Sequence, residues 1–284
     1  MKLIVKKESL LLDYLIEELN MPRKRIKQYL AHGSIYVNNN KTTKYNTKLH
    51  PGMIIIIDTN QKNEASLPFD ILMEDDNLIA VNKPSGLLTI ATAKEKEKTL
   101  YHMVREYLIR KDKRAKVFII HRLDKDTSGI VLFAKNEKIK NKMQENWNEY
   151  ISLREYTAVV HGILDKKEDR IIQKLKETKT NLVYISNDKD AKEAITNYKV
   201  IKENKNSMVQ IELETGRKNQ IRVAFASLKH PILGDKKYGD KKDTYPRLFL
   251  HANRLKFYHP EVKKEILLET TIPNEFKKEM NKGD

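Results

Sequence analysis

The amino-acid sequence predicts an α+β fold: a mixed, mainly antiparallel sheet with helices, preceded by a small helix-helix-hairpin module. Three observations carry this. Strand-like runs in the larger part follow one another through turns, without the even strand-helix rhythm of a doubly wound sheet. The first sixty or so residues hold two helical stripes and two β-branched runs, enough for a separate unit. Residues 59–68, TNQKNEASLP, are polar and aperiodic, which is linker composition. The expected organisation is 1–60 as the first domain, 61–68 as linker and 69–284 as the second domain.

In chain order, Ser9 is a candidate N-cap for a helix whose apolar stripe is Leu11, Leu12, Leu15, Ile16 and Leu19. Pro22 opens a second helix, PRKRIKQYLAH, and Gly33 ends it. Its inward face is Ile26, Tyr29 and Leu30. Arg23 and Lys27 share a face at i,i+4, beside Lys24. SIYVN, the turn-like NNNK and MIIII after Pro51-Gly52 read as a hairpin. Beyond the linker, ILME, LIAVN, VFII, IVLFA, YTAVV, AITNYKVI and MVQIELE read as strands. TLYHMVREYLIRK, EKIKNKMQENWNEY and NQIRVAFASL read as helices, and AKEKEKT (93–99) as a charged loop.

Lys+Arg is 55 against Asp+Glu 39, a formal net charge of +16 over 284 residues, 39% of them hydrophobic. So basic a chain with a full core points to a polyanionic partner, nucleic acid first. Cys is 0, which removes disulfides, thiolate metal sites and thiol nucleophiles. No apolar run approaches the ~20 residues that span a bilayer. The N-terminal apolar stretch is broken by Asp13 and followed by acids rather than a small-residue cleavage site, so a cytoplasmic protein is expected.

Two segments imitate metal or phosphate loops and fail on charge. Asp124-x-Asp126-x-Ser128-Gly129 starts like a calcium loop, but position twelve is Lys135 where a bidentate Glu is needed. Gly234-Asp-Lys-Lys-Tyr-Gly239 starts like a P-loop, but Asp240 stands where the phosphate-binding Lys belongs. There is no G-x-G pair and no H-E-x-x-H. No metal and no cofactor is expected.

HRLDKDTSG (121–129) sets two aspartates among cations at the lip of an apolar run, IVLFA. Three further segments combine charge or turn chemistry with apolar runs in the same way: LIAVNKPSGLL (78–88), REYTAVVHG (154–162) and LETGRKNQIRV (213–223), the last continued by SLKHPILGDKKYG. In this order and of these types, the four resemble the pseudouridine synthase family that acts on ribosomal large-subunit RNA and related RNAs. The resemblance runs from about Phe69 to Pro260, and HRLDxxTSG is its most specific part. The first sixty or so residues look like the alpha-L RNA-binding module that often precedes this catalytic domain.

The resemblance implies a pseudouridine synthase fold, no cofactor, and RNA, first of all 23S-type ribosomal RNA, as partner without an obligatory protein subunit. It implies catalytic roles for Asp124 as the carboxylate, Arg222 of Q-I-R as its basic partner and Tyr156 of R-E-Y as an aromatic that stacks on uracil or moves a proton. A carboxylate serves either as nucleophile or as general base in such an isomerisation. Arg122 is the candidate to fill the gap left by a flipped nucleotide or to hold its phosphate. Lys83, with Pro84 and Gly86, is placed near the site as an RNA contact; Arg217 and Lys218, and Arg23, Lys24 and Lys27 of the first module, are likewise expected to bind RNA. Asn219 and Ala224 stand where many relatives carry histidines. The rival reading is a non-catalytic RNA-binding or ribosome-assembly protein on the same fold, against which the intact Asp124, Tyr156 and Arg222 weigh. An RNA methyltransferase would need a glycine-rich cofactor loop that the sequence lacks.

Overall fold

The computed structural model describes residues 2–19, 21–31, 33–57, 67–93, 95–240 and 242–282. The chain divides into two compact units, Met1–Leu67 and Pro68–Asp284. Most of the expected linker, residues 59–66, lies outside the described residues.

The first unit closes around its own apolar core of Val5, Leu11, Leu12, Tyr14, Leu15, Ile26, Leu30, Ile35, Val37, Leu49, Ile55 and Ile57. Its helices run Leu11–Leu19 and Arg23–Ala31; His32, the last residue of the expected second helix, lies outside the described residues. Ser9 is not the N-cap. It pairs with Leu49 in a two-strand bridge, and the first helical N–H groups are taken by backbone carbonyls, Leu11 by Thr47 (2.9 Å) and Leu12 by Tyr45 (3.1 Å). A neighbouring strand end thus does what a capping side chain would have done. Gly33 does end the second helix, at φ +63°. The expected hairpin is part of a larger sheet ordered Lys2–Ile4, Ile54–Ile57, Ile35–Val37, Asn40–Lys41. Asn38 and Asn39, both at positive φ, make the tight turn between the last two. Arg23, Lys24 and Lys27 are exposed on the second helix.

The second unit is built on one large sheet. Its strand order is Val183–Ile185, Glu168–Glu177, Lys192–Glu203, Asn206–Leu213, Ile151–His161, Leu250–His259, Ser128–Ala134, Leu78–Lys83, Asp70–Glu74. Phe118–Ile119 and Lys264–Glu269 pair off this path. Neighbours are antiparallel except Ser128–Ala134 on Leu250–His259, which pair in parallel through Ser128↔His251 and Gly129↔Ala252. The helices Leu100–Lys111, Glu137–Glu145 and Gln220–Ser227 fall where the sequence predicts them. Glu168–Glu177, Leu250–His259 and Lys264–Glu269 are strands that apolar patterning misses, because charged or polar side chains interrupt them.

The parallel junction at the centre of the sheet constrains the conspicuous loop. Gly129 sits at φ +118°, and a Cβ there would overlap the carbonyl oxygen of Ala252. Only glycine lets the chain leave HRLDKDTS and enter the buried strand at that spacing. Gly129→Ala is expected to cost about 2 kcal/mol or more. Urea unfolding checks this; a loss below about 0.5 kcal/mol would mean that the junction yields easily.

Candidate active site

The loop 120–127 connects the short strand Phe118–Ile119 to the central strand Ser128–Ala134. It is irregular, yet nearly every turn of it is tied to the segment after Leu78–Lys83. Thr89 Oγ1 donates to Leu123 O (2.7 Å) and accepts from Leu123 N (3.2 Å). Gly86 N donates to Lys125 O (2.9 Å). Ser85 Oγ donates to Asp126 O (2.6 Å). Lys83 Nζ donates to Pro84 O, Leu87 O and Lys125 O at 3.0, 2.7 and 2.9 Å.

Lys83 corrects an expectation. It is 0% exposed, so it does not face RNA. All three protons of its ammonium are used by carbonyls. Burial pulls its pKa down to about 7, while Asp126 and Asp124 pull it up. It pins the loop that carries Asp124.

From behind, Ser128 completes the anchorage. Its hydroxyl lies 2.8 Å from His251 Nδ1 and accepts from Arg247 Nη2 at 2.5 Å. His251 Nε2 is 2.9 Å from Thr270 Oγ1. His121, at the start of the loop, uses Nε2 to accept from Leu132 N (3.1 Å). Burial holds both imidazoles neutral, with pKa values near 4, which suits rings engaged as acceptors.

Asp124 opens into a cleft of about 550 Å³ shared with Arg122, Tyr156, Arg217, Lys218 and Arg222. Burial pushes its carboxyl above the usual range; Arg222, Arg122, Lys237 and Lys218 oppose that shift. Tyr156 faces the same cleft from the strand Ile151–His161, next to a bulge where Glu155 pairs with Arg254 but Tyr156 with Ala252. Burial also raises its phenol pKa, with Arg154 lowering and Asp124 raising it, so the hydroxyl keeps its proton.

Arg222 is 6% exposed on the helix Gln220–Ser227. Its hydrogen-bond partner is Asp235 rather than Asp124, through Nε–Oδ2 at 2.8 Å and Nη2–Oδ1 at 2.6 Å. The fork fixes the guanidinium, which then acts on Asp124 through space. Burial pushes the Asp235 carboxyl up, but Arg222 and the backbone N–H groups of Tyr238 and Lys237 bring it below the usual range. Gln220 of the same motif is internal too: its side chain bonds Thr215, Arg217 N, Ile195 O and Thr196.

Asn219, at φ +53°, stands beside Asp124. A carboxylate only accepts, so the amide nitrogen faces it, 2.7 Å from Oδ2. The amide oxygen then accepts from Tyr238 Oη (3.0 Å) and Lys237 Nζ (3.2 Å). Of the remaining cations, Arg217 Nε donates to Glu193 O (2.9 Å), and Lys218 Nζ bonds Glu177 and Asn181. Arg122 is exposed.

Sequence reading passes over Asp235, Lys237 and Tyr238, although GDKKYG was in view as a failed phosphate loop. Their acid, cation and phenol are what brace Arg222 and Asn219. It also passes over Trp147 and Arg154 in the cleft wall. The Arg154 guanidinium lies 5.5 Å from the indole centroid, and its Nη2 donates to Leu213 O and Glu214 O.

The fold agrees with the sequence relationships. Residues 77–227 match the RNA pseudouridylate synthase family, and the chain belongs to it. It is an RNA pseudouridine synthase, an isomerase. It is similar to the ribosomal large subunit pseudouridine synthase D of Vibrio cholerae, 31% identical over 292 residues, covering 93% of this chain and 88% of the relative. An uncharacterized RNA pseudouridine synthase of Mycoplasma pneumoniae is 31% identical over 278 residues, covering 93% and 89%. The solved structure of human RNA pseudouridylate synthase domain containing 4 superposes with a TM-score of 0.61 at 24% identity, covering 73% of this chain and 90% of that one, and shows the shared fold.

Lys83→Met should lower stability by about 2 kcal/mol or more, because Pro84 O and Leu87 O lose the ammonium and Lys125 O keeps only Gly86 N. Thermal melting checks this. An unchanged melting temperature with weakened RNA binding would return Lys83 to the RNA surface.

Proposed function

We propose that the protein converts uridine to pseudouridine in large-subunit ribosomal RNA, with Asp124 as the catalytic carboxylate. One observation carries this reading: a desolvated carboxylate sits in a cleft with four cations acting on it, Arg222, Arg122, Lys237 and Lys218. The reaction breaks the N1–C1′ bond of the nucleoside and makes a C1′–C5 bond. C5 gives up a proton and N1 gains one, so the product is an isomer and needs no group donor.

Asp124 acts in its ionised form, either as a nucleophile on the nucleoside or as a base on the ribose. Burial alone would keep it protonated; Arg222 and its neighbours favour the anion. Tyr156 stacks on the extruded uracil, and its hydroxyl can relay the C5 proton, the oxygen accepting it while the phenol hydrogen passes to solvent. Arg122, exposed at the mouth, takes the space or the phosphate of the displaced nucleotide. Arg217 and Lys218, which line the same cleft, meet the backbone of the RNA.

The first unit serves as an alpha-L type RNA-binding domain. Arg23, Lys24 and Lys27 on its exposed helix contact phosphates, a contribution that falls with salt. Ribosomal large-subunit RNA is favoured by the similarity to the Vibrio cholerae enzyme over nearly the whole chain.

Carbodiimide-dependent primer extension on unmodified large-subunit rRNA is expected to give an enzyme-dependent stop at the target uridine. Arg222→Ala should cut turnover at least about 100-fold with RNA affinity changed less than about 3-fold. Stops on transfer RNA alone would overturn the substrate. A loss confined to binding would overturn the role of Arg222.

A further inference from the structure

We infer that Asn219 is a positioning residue for Asp124, held in that duty by Tyr238. This rests on the catalytic reading of Asp124 given above. The donors and acceptors around one amide fix its orientation. Tyr238 Oη accepts from Val183 N at 3.0 Å, so its own proton is free to be donated. Lys237 Nζ can only donate. Both lie within 3.2 Å of the same end of the Asn219 amide, and that end is therefore the oxygen. The nitrogen end is left 2.7 Å from Asp124 Oδ2. The opposite orientation would gain a 3.3 Å contact from Arg222 Nη1 but set the amide oxygen against the carboxylate.

The backbone supports the same assignment. Asn219 is 6% exposed and occupies the left-handed region, φ +53° and ψ 19°, where the loop 215–218 turns into the helix Gln220–Ser227. Asn, Asp and His tolerate this conformation better than other side chains. Of these three, Asp would repel Asp124. Asn and His can both donate to it.

Arg222 spends its fork on Asp235, so the Asn219 amide supplies a direct hydrogen bond to Asp124 that Arg222 does not. A fixed donor at 2.7 Å sets the direction of the carboxylate and favours its ionised form. The other charged or titratable groups facing Asp124 are Arg122, Lys218, Arg222, Lys237, Tyr156 and Lys83. None of them makes that contact. Tyr238 acts one step further out. Its hydroxyl fixes the amide, and its ring lies 5.2 Å from the Arg222 guanidinium carbon.

The test is the titration of the Asp124 carboxyl, followed by carbon-13 NMR in the full-length protein without RNA. The resonance is assigned by its absence in Asp124→Asn. The pH profile of kcat is measured in parallel on the rRNA transcript. Asn219→Gly keeps the backbone conformation and removes the donor. It should raise the Asp124 midpoint by about one pH unit and move the acidic limb of kcat equally, with KM changed less than about 3-fold. Asn219→Asp should raise it further and abolish turnover at neutral pH. Tyr238→Phe should shift it less in the same direction, and Asn219→His should hold it within about 0.3 unit of wild type. An unmoved midpoint in Asn219→Gly, or a loss of activity tracking melting temperature alone, overturns the inference. If Asn219→Gly does not fold, the same midpoint read in Asn219→Asp and Tyr238→Phe decides. A shifted midpoint with a fully active Asp124→Asn would refute the catalytic reading and leave the hydrogen bond standing.

Discussion

A carboxylate taken out of water binds a proton unless something charged and fixed replaces its hydration. The catalytic unit is arranged around that constraint at Asp124. Burial raises its pKa, and four cations from three separate segments work against the rise. Three of those cations, Arg222, Lys218 and Lys237, are held by hydrogen bonds, while Arg122 is exposed at the mouth. Arg222 is locked by Asp235, Asp235 by two backbone N–H groups, and Asn219 by Tyr238. The ion pair Arg222–Asp235 thus belongs to orientation more than to stability. Removing either member would leave a buried charge alone.

The second requirement is mechanical. An irregular loop holds its shape only if its own polar groups are bonded, and the loop at 120–127 has no partner strand of its own. Lys83, Ser85, Gly86 and Thr89 supply those bonds from one side, and Ser128 with His251 and Arg247 from the other. Gly129 allows the change from loop to central strand. The charge density that makes HRLDKDTSG stand out is therefore divided. Asp124 and Arg122 face the cleft, whereas Lys125 and Asp126 offer backbone carbonyls to the clamp.

Much of this was legible in the sequence, for physical reasons that differ by element. Apolar runs such as IVLFA and LIAVN are buried on both faces and stand out at any period. Strands such as Glu168–Glu177 carry charge on their exposed face and bury only Ile171 and Leu175, so their pattern is weak. The Ser9 cap failed because the competing acceptors, Thr47 and Tyr45, are nearly forty residues away and invisible to local pattern. Asp124, Tyr156 and Arg222 stand out only through motif resemblance, since a lone Asp in a basic loop reads as a turn; the fold brings the three to one cleft. Lys83 was misjudged because a lysine in a basic protein defaults to the surface, and only the tertiary fold surrounds it with carbonyls. The bracing role of Asp235 and Tyr238 depends on a loop returning across the helix Gln220–Ser227, which no spacing in the sequence announces.

The most direct measurement is tritium release from C5 of uridine-labelled large-subunit rRNA under single-turnover conditions, for wild type and Asp124→Asn, with RNA affinity measured in the same buffer. Wild type is expected to release tritium and Asp124→Asn to lose at least about 1000-fold of that rate, at an RNA affinity within about 3-fold of wild type. Release by Asp124→Asn at near wild-type rate would contradict the claim that this carboxylate performs the chemistry.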